Sequence, residues 1–134
     1  YEKETMIEKK QIITERAPQA IGAYSQAIKC GNLIFISGQI PLVPETMKLI
    51  SQDFELQVNQ VLINLMSIAN EAGCDSTNFV KITVYLKRLE NFSSVNKAME
   101  SVFVKPYPAR AAVEVSKLPL DVEVEMDAIL VDGS

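Results

Sequence analysis

Two segments of the chain alternate strictly between apolar and polar residues, and this pattern constrains the fold more than any other feature. In Val80–Leu86 every second residue is apolar, and in Val122–Ala128 the apolar residues alternate with acidic ones. Because successive side chains of a β-strand point to opposite faces, each segment is predicted to be a strand with one apolar face. Each strand therefore needs a covering layer on that face.

Two other segments repeat apolar residues at steps of three and four, the spacing of one helical face. In the first, Ser51 is the expected N-cap, Asp53 lies in the first turn and Gly73 follows the last turn. The second begins after Asn91, a candidate N-cap, and ends before Pro106. The two apolar faces consist of Phe54, Val58, Val61, Leu65, Ala69 and Ala72, and of Phe92, Val95, Met99, Val102 and Phe103.

Shorter apolar runs complete the predicted sheet. The predicted strands, besides Val80–Leu86, are Ile12–Thr14, Gln26–Cys30, Leu33–Ser37, Ala111–Ser116 and Val122–Val131, with a turn at Gly31-Asn32 and a loop over Gly38–Lys48. This order predicts an α+β fold, a two-layer sandwich of a mixed sheet with two helices on one face. Residues 1–10 are a predicted polar tail and residues 11–134 a single domain. Leu33–Ser37 and the last strand carry apolar residues on both faces, so we expect another chain to cover the face without helices.

Composition and charge argue against several classes of protein. The net charge of −4 argues against general nucleic-acid binding and against a polybasic membrane surface. We find no run of about 18 apolar residues that predicts a membrane span, and residues 1–10 lack the apolar region of a secretory signal. The first residue is Tyr1 rather than Met, so earlier removal of a targeting segment stays open.

The chain has no histidine, which excludes Ser-His-Asp and Cys-His catalysis, histidine metal ligation and an imidazole base. Its two cysteines, Cys30 and Cys74, are far apart in sequence and are interpreted as packing residues. Any chemistry must therefore use carboxylates, Arg, Lys, Tyr, hydroxyls, backbone dipoles and water.

Two groups of charged residues near the C-terminus are candidates for such chemistry. Arg110 follows two prolines at the start of a strand, where a guanidinium is a good bidentate receptor for a carboxylate, although a surface position or a salt bridge explains it equally well. Glu123, Glu125 and Asp127 share one face of the last strand. One of them is a candidate to hold and polarise a water, and a solvated sheet face is the alternative.

Four other residues have both a structural and a functional interpretation. Ser37 and Gly38 end a buried strand, where a hydroxyl and a close backbone approach suit a ligand but a simple turn is equally typical. Tyr24 either borders a pocket or lies at the edge of the core. Asn96, among apolar positions of the second helix, is either a surface residue or a hydrogen-bonding group of a pocket.

Four separated motifs closely resemble the RidA/YjgF family of reactive-intermediate deaminases, over roughly residues 11–131. They are PARAAVEVSKLP at 108–119 with VEVEMDAI at 122–129, APQAIGAYSQA at 17–27, ISGQIP at 36–41, and VKITVYL at 80–86 with the segment around 91–96. The resemblance implies a chorismate-mutase-like fold and a homotrimer with ligand clefts between subunits. It implies hydrolysis of imino and enamine acids, such as 2-aminoacrylate and 2-iminobutanoate, to 2-keto acids and ammonia, without metal or organic cofactor.

The resemblance also assigns roles to individual residues. Arg110 corresponds to the arginine that binds the substrate carboxylate, and Glu125 to the acid that holds the attacking water. The matching pocket residues are Tyr24, Ser37, Gly38, Asn96 and Ala112. Two positions differ from the family pattern: many members have Cys at the position of Ala112, where the contribution is then from the backbone, and many have Pro at the position of Ala23.

An enzyme of the 2-iminobutanoate/2-iminopropanoate deaminase type is therefore the expected function. The expected partners are a small imino or keto acid and two further copies of the chain, with no membrane and no nucleic acid. The expected location is the cytoplasm, or the mitochondrion if a targeting segment has been removed. A trimeric module that binds carboxylates or acts like a chaperone without catalysis is the alternative, and a ribonuclease is a third hypothesis that the acidic balance and the lack of histidine disfavour.

Overall fold

The computed structural model describes residues 8–133 of the chain. Most of the segment predicted as a polar tail lies outside the described residues. The strands are β1 (Lys9–Ile12), β2 (Ala27–Cys30), β3 (Leu33–Gln39), β4 (Leu42–Val43), β5 (Lys48–Leu49), β6 (Phe79–Leu86), β7 (Ala109–Glu114) and β8 (Val124–Val131). The helices are α1 (Phe54–Glu71) and α2 (Phe92–Val102), accompanied by short helical turns at Ser76–Asn78, Leu89–Asn91 and Pro119–Asp121.

Six strands form one mixed sheet in the order β1-β2-β3-β8-β6-β7. Neighbouring strands are antiparallel except β6 and β7, which are parallel. The parallel pair is joined through α2, as a parallel connection requires a crossover. β7 is therefore an edge strand, and it is exposed along most of its length.

Both helices pack on the same face of this sheet, which confirms the predicted two-layer α+β fold. On β8 the residues Val124, Met126, Ala128 and Leu130 are buried, whereas the residues between them are only half-buried. The buried residues of α1 and α2 join them in one core cluster, including Val58, Val61, Leu65, Ala69, Val95, Met99 and Phe103. We call the face that carries the helices the helix face and the opposite one the open face.

Several predicted element ends are wrong by a few residues. Asp53 rather than Ser51 is the N-cap of α1, because its carboxylate accepts the backbone N–H of Leu56 at 3.1 Å. β1 begins at Lys9, inside the predicted tail, because its pairing continues as far as Cys30 at the end of β2. β7 begins and ends two residues earlier than predicted, whereas β8 begins two residues later and ends at Val131 as predicted. The predicted loop after β3 contains the short β4–β5 hairpin.

The open face carries large apolar side chains in the centre of the sheet. Leu33 and Phe35 of β3 are 38% and 43% exposed, opposite Val131 and Ile129 of β8. The expectation that β3 and β8 are apolar on both faces is thus confirmed. A contiguous apolar patch on a sheet face is typical of a surface that another chain covers.

The loop between β3 and α1 is held to the helix by a buried amide. Asn64 of α1 is fully buried, and its side-chain nitrogen donates to the carbonyl oxygens of Ile40 at 3.2 Å and Leu42 at 3.0 Å. Its oxygen accepts from Gln60 at 2.9 Å. Since buried carbonyls need partners, this side chain fixes the path of the backbone just beyond Gly38.

Replacing Asn64 with Leu should therefore lower the free energy of unfolding by about 1–3 kcal/mol, because the buried Leu42 carbonyl loses the Asn64 amide as donor and the Ile40 carbonyl keeps only the N–H of Leu42. Urea denaturation measures this change. Asn59→Leu is the matched control, since Asn59 is exposed on the same helix, and we expect it to stay within about 0.5 kcal/mol of the parent chain. If both substitutions change the free energy of unfolding equally, the hydrogen bonds of Asn64 to Ile40 and Leu42 contribute no stability beyond helix propensity.

Candidate active site

Arg110 lies on the edge strand β7 and points to the helix face. Its Cα partner on β6 is Ile82, which is fully buried under the helices. Residues paired in register share a face, so the Arg110 side chain reaches towards α2 along the rim of the core. Pro108 precedes the strand and helps to set its start.

The guanidinium of Arg110 rests in a cradle without negative charge. One of its terminal nitrogens donates to the side-chain oxygen of Asn96 at 2.9 Å and lies 3.7 Å from the sulfur of Met99. The guanidinium carbon also lies 4.6 Å from the centre of the Phe92 ring, a cation–π contact. Within residues 8–133, Arg110 forms no ion pair. Its charge is thus positioned but not neutralised, which suits an incoming anion.

An open cavity of about 280 Å³ borders this guanidinium. It is lined by Asn96, Met99, Glu100, Tyr107, Pro108 and Arg110. The lining combines apolar walls with one amide, one phenol hydroxyl, the Arg110 cation and the exposed carboxylate of Glu100, with which Arg110 forms no ion pair. The unpaired guanidinium is the group of this lining that can bind a small organic acid. Ala112, two residues further along β7, shares the helix face but packs against the core rather than lining this cavity.

Two residues that the sequence pattern assigned only to the packing face of α2, Phe92 and Met99, are contacts of Arg110. They and Asn96 are four and three residues apart, so they follow one face of the helix. This spacing was the sequence signal that could have placed Phe92 and Met99 beside Asn96. What the sequence does not contain is the placement of β7 beside that face of α2.

Glu125 lies on the open face of the sheet. Its Cα partner is Tyr85 of β6, and both are half-buried between residues that point to the helices. Burial raises the pKa of the Glu125 carboxyl, and the negative charge of Asp127 raises it further. A carboxylate with a raised pKa is a stronger base than an exposed one, as a group that accepts a proton from water should be.

Glu125 is also the least engaged of the three acids on this strand. Glu123 forms ion pairs with Lys87 at 3.8 Å and Arg88 at 3.4 Å, and Asp127 accepts a hydrogen bond from Tyr85. Among the described residues, Glu125 has neither an ion pair nor a hydrogen bond to another side chain. Of the three acids, Glu125 is therefore the one whose carboxylate is not engaged by another side chain of the described residues.

A β-bulge places Gly38 against the Glu125 carboxylate. Ile36 pairs with Ala128 and Gln39 with Met126, so Ser37 and Gly38 together oppose the single residue Asp127. A Cβ atom at position 38 would overlap the carboxylate of Glu125 where it now lies. Gly38 is thus a point of close approach to the Glu125 side chain, and its approach to a ligand stays a prediction.

Ser37 and Tyr24 lie on the β1–β2–β3 side of the molecule. The Ser37 hydroxyl donates to the carbonyl of Ser25 at 2.6 Å, and its backbone N–H donates to the carbonyl of Gln26 at 2.9 Å. Tyr24 is half exposed and lines a second open cavity, of about 770 Å³, that Arg110 does not line. Within one protomer the structure therefore does not gather all predicted site residues around a single cavity.

The separation of Arg110 and Glu125 is the main result for the site. Arg110 is on the helix face of the edge strand, whereas Glu125 is on the open face two strands away. One protomer brings Arg110 together with Asn96, and Glu125 together with Gly38. It does not bring the two pairs together.

Comparisons with known proteins agree on one family. The model of the Endoribonuclease L-PSP family matches residues 14–131. A RutC family protein of Pyrococcus abyssi is 50% identical over 121 residues, covering 90% of this chain and 95% of the relative. The 2-iminobutanoate/2-iminopropanoate deaminase of Escherichia coli K12 is 43% identical over 125 residues, covering 91% and 97%.

A solved structure is similar over the same length. The crystal structure of E. coli TdcF with bound serine superposes with a TM-score of 0.84 at 36% identity, covering 91% of this chain and 98% of that one. Sequence motifs, fold and relatives therefore agree, and the chain belongs to the Endoribonuclease L-PSP family, the RidA/YjgF family that its motifs resemble.

Proposed function

We propose that this protein is a hydrolytic deaminase of reactive 2-imino and enamine acids, which it converts to 2-keto acids and ammonia. The observation that carries this proposal is the unpaired charge of Arg110, held in a neutral cradle beside an open cavity. The name of the E. coli relative, 2-iminobutanoate/2-iminopropanoate deaminase, supplies the substrate class.

Arg110 binds the substrate carboxylate in this proposal. Asn96 and Phe92 hold one side of the guanidinium, so that its remaining N–H groups can form a bidentate pair with a planar carboxylate. The serine bound to TdcF is a small 2-amino acid, similar in size and charge to a 2-imino acid. A cavity of about 280 Å³ has room for such a molecule.

Glu125 holds the water that attacks the substrate. The oxygen of water bonds to the imine carbon, the pair of electrons of the carbon–nitrogen double bond moves to nitrogen, and Glu125 takes the proton that the water loses and passes it to that nitrogen, which gives a carbinolamine. The carbinolamine hydroxyl then gives up its proton through Glu125 to the nitrogen, the oxygen forms its second bond to carbon as the carbon–nitrogen bond breaks, ammonia leaves, and the 2-keto acid remains. The imine carbon is already electrophilic, so no covalent nucleophile is needed, which suits a chain without histidine.

We infer that the complete site forms between protomers of a homotrimer. Arg110 and Glu125 are on opposite faces of one sheet, so a substrate that contacts both must take them from different copies. The exposed edge strand β7 and the apolar patch around Phe35 on the open face are the surfaces available for such an assembly. A closed cyclic arrangement gives every copy the same two neighbours.

Replacing Arg110 with Ala should lower kcat/KM for enzymatically generated 2-aminoacrylate by about 10²-fold or more, because a charged, bidentate hydrogen-bonded pair is lost. Keto-acid release measures the rate. Arg16→Ala is the control, since Arg16 is exposed and contributes to neither Arg110 nor Glu125, and its rate should be unchanged. Arg110→Lys should recover only part of the activity, because an ammonium cannot form the two parallel hydrogen bonds.

Two results would contradict this role. If Arg110→Ala unfolds or changes the oligomeric state, Arg110 is a structural residue. If the parent chain accelerates keto-acid release from neither 2-aminoacrylate nor 2-iminobutanoate at any concentration, the protein is a carboxylate-binding module instead of an enzyme.

Replacing Glu125 with Gln should lower kcat by about 10²- to 10⁴-fold, the usual contribution of a general base, with a smaller change in ligand affinity. Single-turnover kinetics and calorimetric titration with a keto acid separate the two effects. Glu123→Gln is the matched control on the same strand, because Glu123 is already paired with Lys87 and Arg88. A normal rate for Glu125→Gln would transfer the water-holding role to Asp127.

A mixture of two inactive variants tests the shared site directly. When Arg110→Ala and Glu125→Gln chains are refolded together, about one quarter of the clefts in a randomly mixed cyclic trimer should contain both native residues, and activity should return to that extent. Each variant refolded alone is the control. Continued inactivity of mixed trimers, verified by mass spectrometry, would show that both residues act within one protomer.

A further inference from the structure

Three polar side chains on the open face form a continuous group around Glu125. Tyr85 of β6 is the Cα partner of Glu125, and its hydroxyl donates across the diagonal to Asp127 at 2.8 Å. Glu125 and Asp127 are two residues apart on β8 and therefore point to the same face. The hydrogen bond fixes the Asp127 carboxylate beside Glu125 rather than leaving it free to turn towards solvent.

The other elements around Glu125 bring few charges towards it. On the open face of β3 the neighbours are Leu33, Phe35, Ser37 and Gly38, none of which is charged. β6 and the residue that follows it have two charged residues on this side. Lys81 pairs with Ile129, which is four residues from Glu125 along β8, and Lys87 forms ion pairs with Asp121 and Glu123. On β8 itself, Glu123 is neutralised by Lys87 and Arg88. Within one protomer, Asp127 is thus the charge that Glu125 faces without a cation between them.

We propose that Asp127 is a positioning residue for Glu125: held by the Tyr85 hydroxyl, its fixed negative charge makes Glu125 a stronger base. This inference rests on the proposed function of Glu125 as the acid that holds the water. It assigns to Tyr85 the role of fixing Asp127, and neither residue need touch the substrate. The prediction is a change in the pH dependence of the reaction, not in substrate binding.

The direction of the charge effects supports this arrangement. The pKa of Glu125 is raised by burial and then by the charge of Asp127. The pKa of Tyr85 is raised chiefly by its hydrogen bond to Asp127, as expected of a hydroxyl that donates to a carboxylate. Asp127 therefore affects the pKa of both Glu125 and Tyr85.

The negative charge of Asp127 should change how the reaction rate depends on pH. Glu125 accepts a proton only as a carboxylate, so the rate should rise with pH as Glu125 loses its proton. A neighbouring negative charge moves this rise to higher pH and makes the ionised group more basic. Removing the charge should move the rise to lower pH and lower the rate on the plateau, because a weaker base removes the proton from water less readily.

Asp127→Asn is the decisive variant, since it removes the charge but keeps an oxygen that can accept from Tyr85. Carbon-13 NMR of the full chain labelled at the glutamate side-chain carboxyl, with Glu125→Gln for assignment, measures the titration midpoint of Glu125 without reference to activity. We expect Asp127→Asn to lower that midpoint. Glu123→Gln, the same spacing on the other side of Glu125, should leave it almost unchanged.

Tyr85→Phe gives an independent prediction of the same sign and smaller size. It retains the ring and removes the hydroxyl that holds Asp127 beside Glu125, so the Asp127 carboxylate can turn towards solvent. The midpoint of Glu125 should then fall, but by less than in Asp127→Asn. An unchanged midpoint in Tyr85→Phe would show that Tyr85 does not position Asp127.

The pH profile of keto-acid release completes the test. The rise in rate should follow the NMR midpoint in each variant. Equal midpoints for Asp127→Asn and Glu123→Gln would overturn the inference, and so would a shifted midpoint with an unshifted rate profile. If the parent chain has no deaminase activity, the proposed function fails while the NMR titration still decides whether Asp127 controls the protonation of Glu125.

Discussion

The alternation of side chains along β8 is the constraint on which the rest of the structure depends. Every second residue from Val124 onwards is buried beneath α1 and α2, so every residue between them must lie on the open face. A shift of one residue in this strand would bury Glu125 in the core and expose Met126. The burial of the helix face therefore fixes the position of the acid as firmly as any interaction of the acid itself.

The alternation also explains which parts of the molecule could be predicted from sequence. Helices, strands and the face of each acid follow from periodicity, because apolar burial decides them locally. The neutral cradle of Arg110 does not, since it depends on β7 lying parallel to β6 and beside α2. For the same reason spacing alone left Arg110 indistinguishable from a surface residue. The N-cap at Asp53 instead of Ser51 shows the usual uncertainty at helix ends: Ser51 accepts the N–H of Asp53, outside the helix, and Asp53 accepts the N–H of Leu56 in its first turn.

Departures from regular geometry coincide with the candidate site. The bulge at Ser37 and Gly38 interrupts the β3–β8 ladder beside Glu125, and a Cβ at position 38 would displace the Glu125 carboxylate from its present place. The loop beyond this bulge is held by Asn64, whose buried amide satisfies two carbonyl groups. Gln26 acts similarly on the preceding loop, with its buried amide bound to Thr14, Ala17 and Pro18. Buried amides thus stabilise irregular backbone without adding charge near the acid.

Charge is distributed differently at the two halves of the site, and this difference has a chemical reason. The guanidinium of Arg110 contacts an amide, a sulfur and an aromatic ring, so none of these contacts neutralises its charge. Glu125 is surrounded by uncharged residues on β3 and by one carboxylate on its own strand, so its proton affinity is increased. If the two residues were neighbours in one protomer, they would form a salt bridge that neutralises the arginine and lowers the basicity of the acid. Within one protomer, their placement on opposite faces of the sheet avoids this neutralisation.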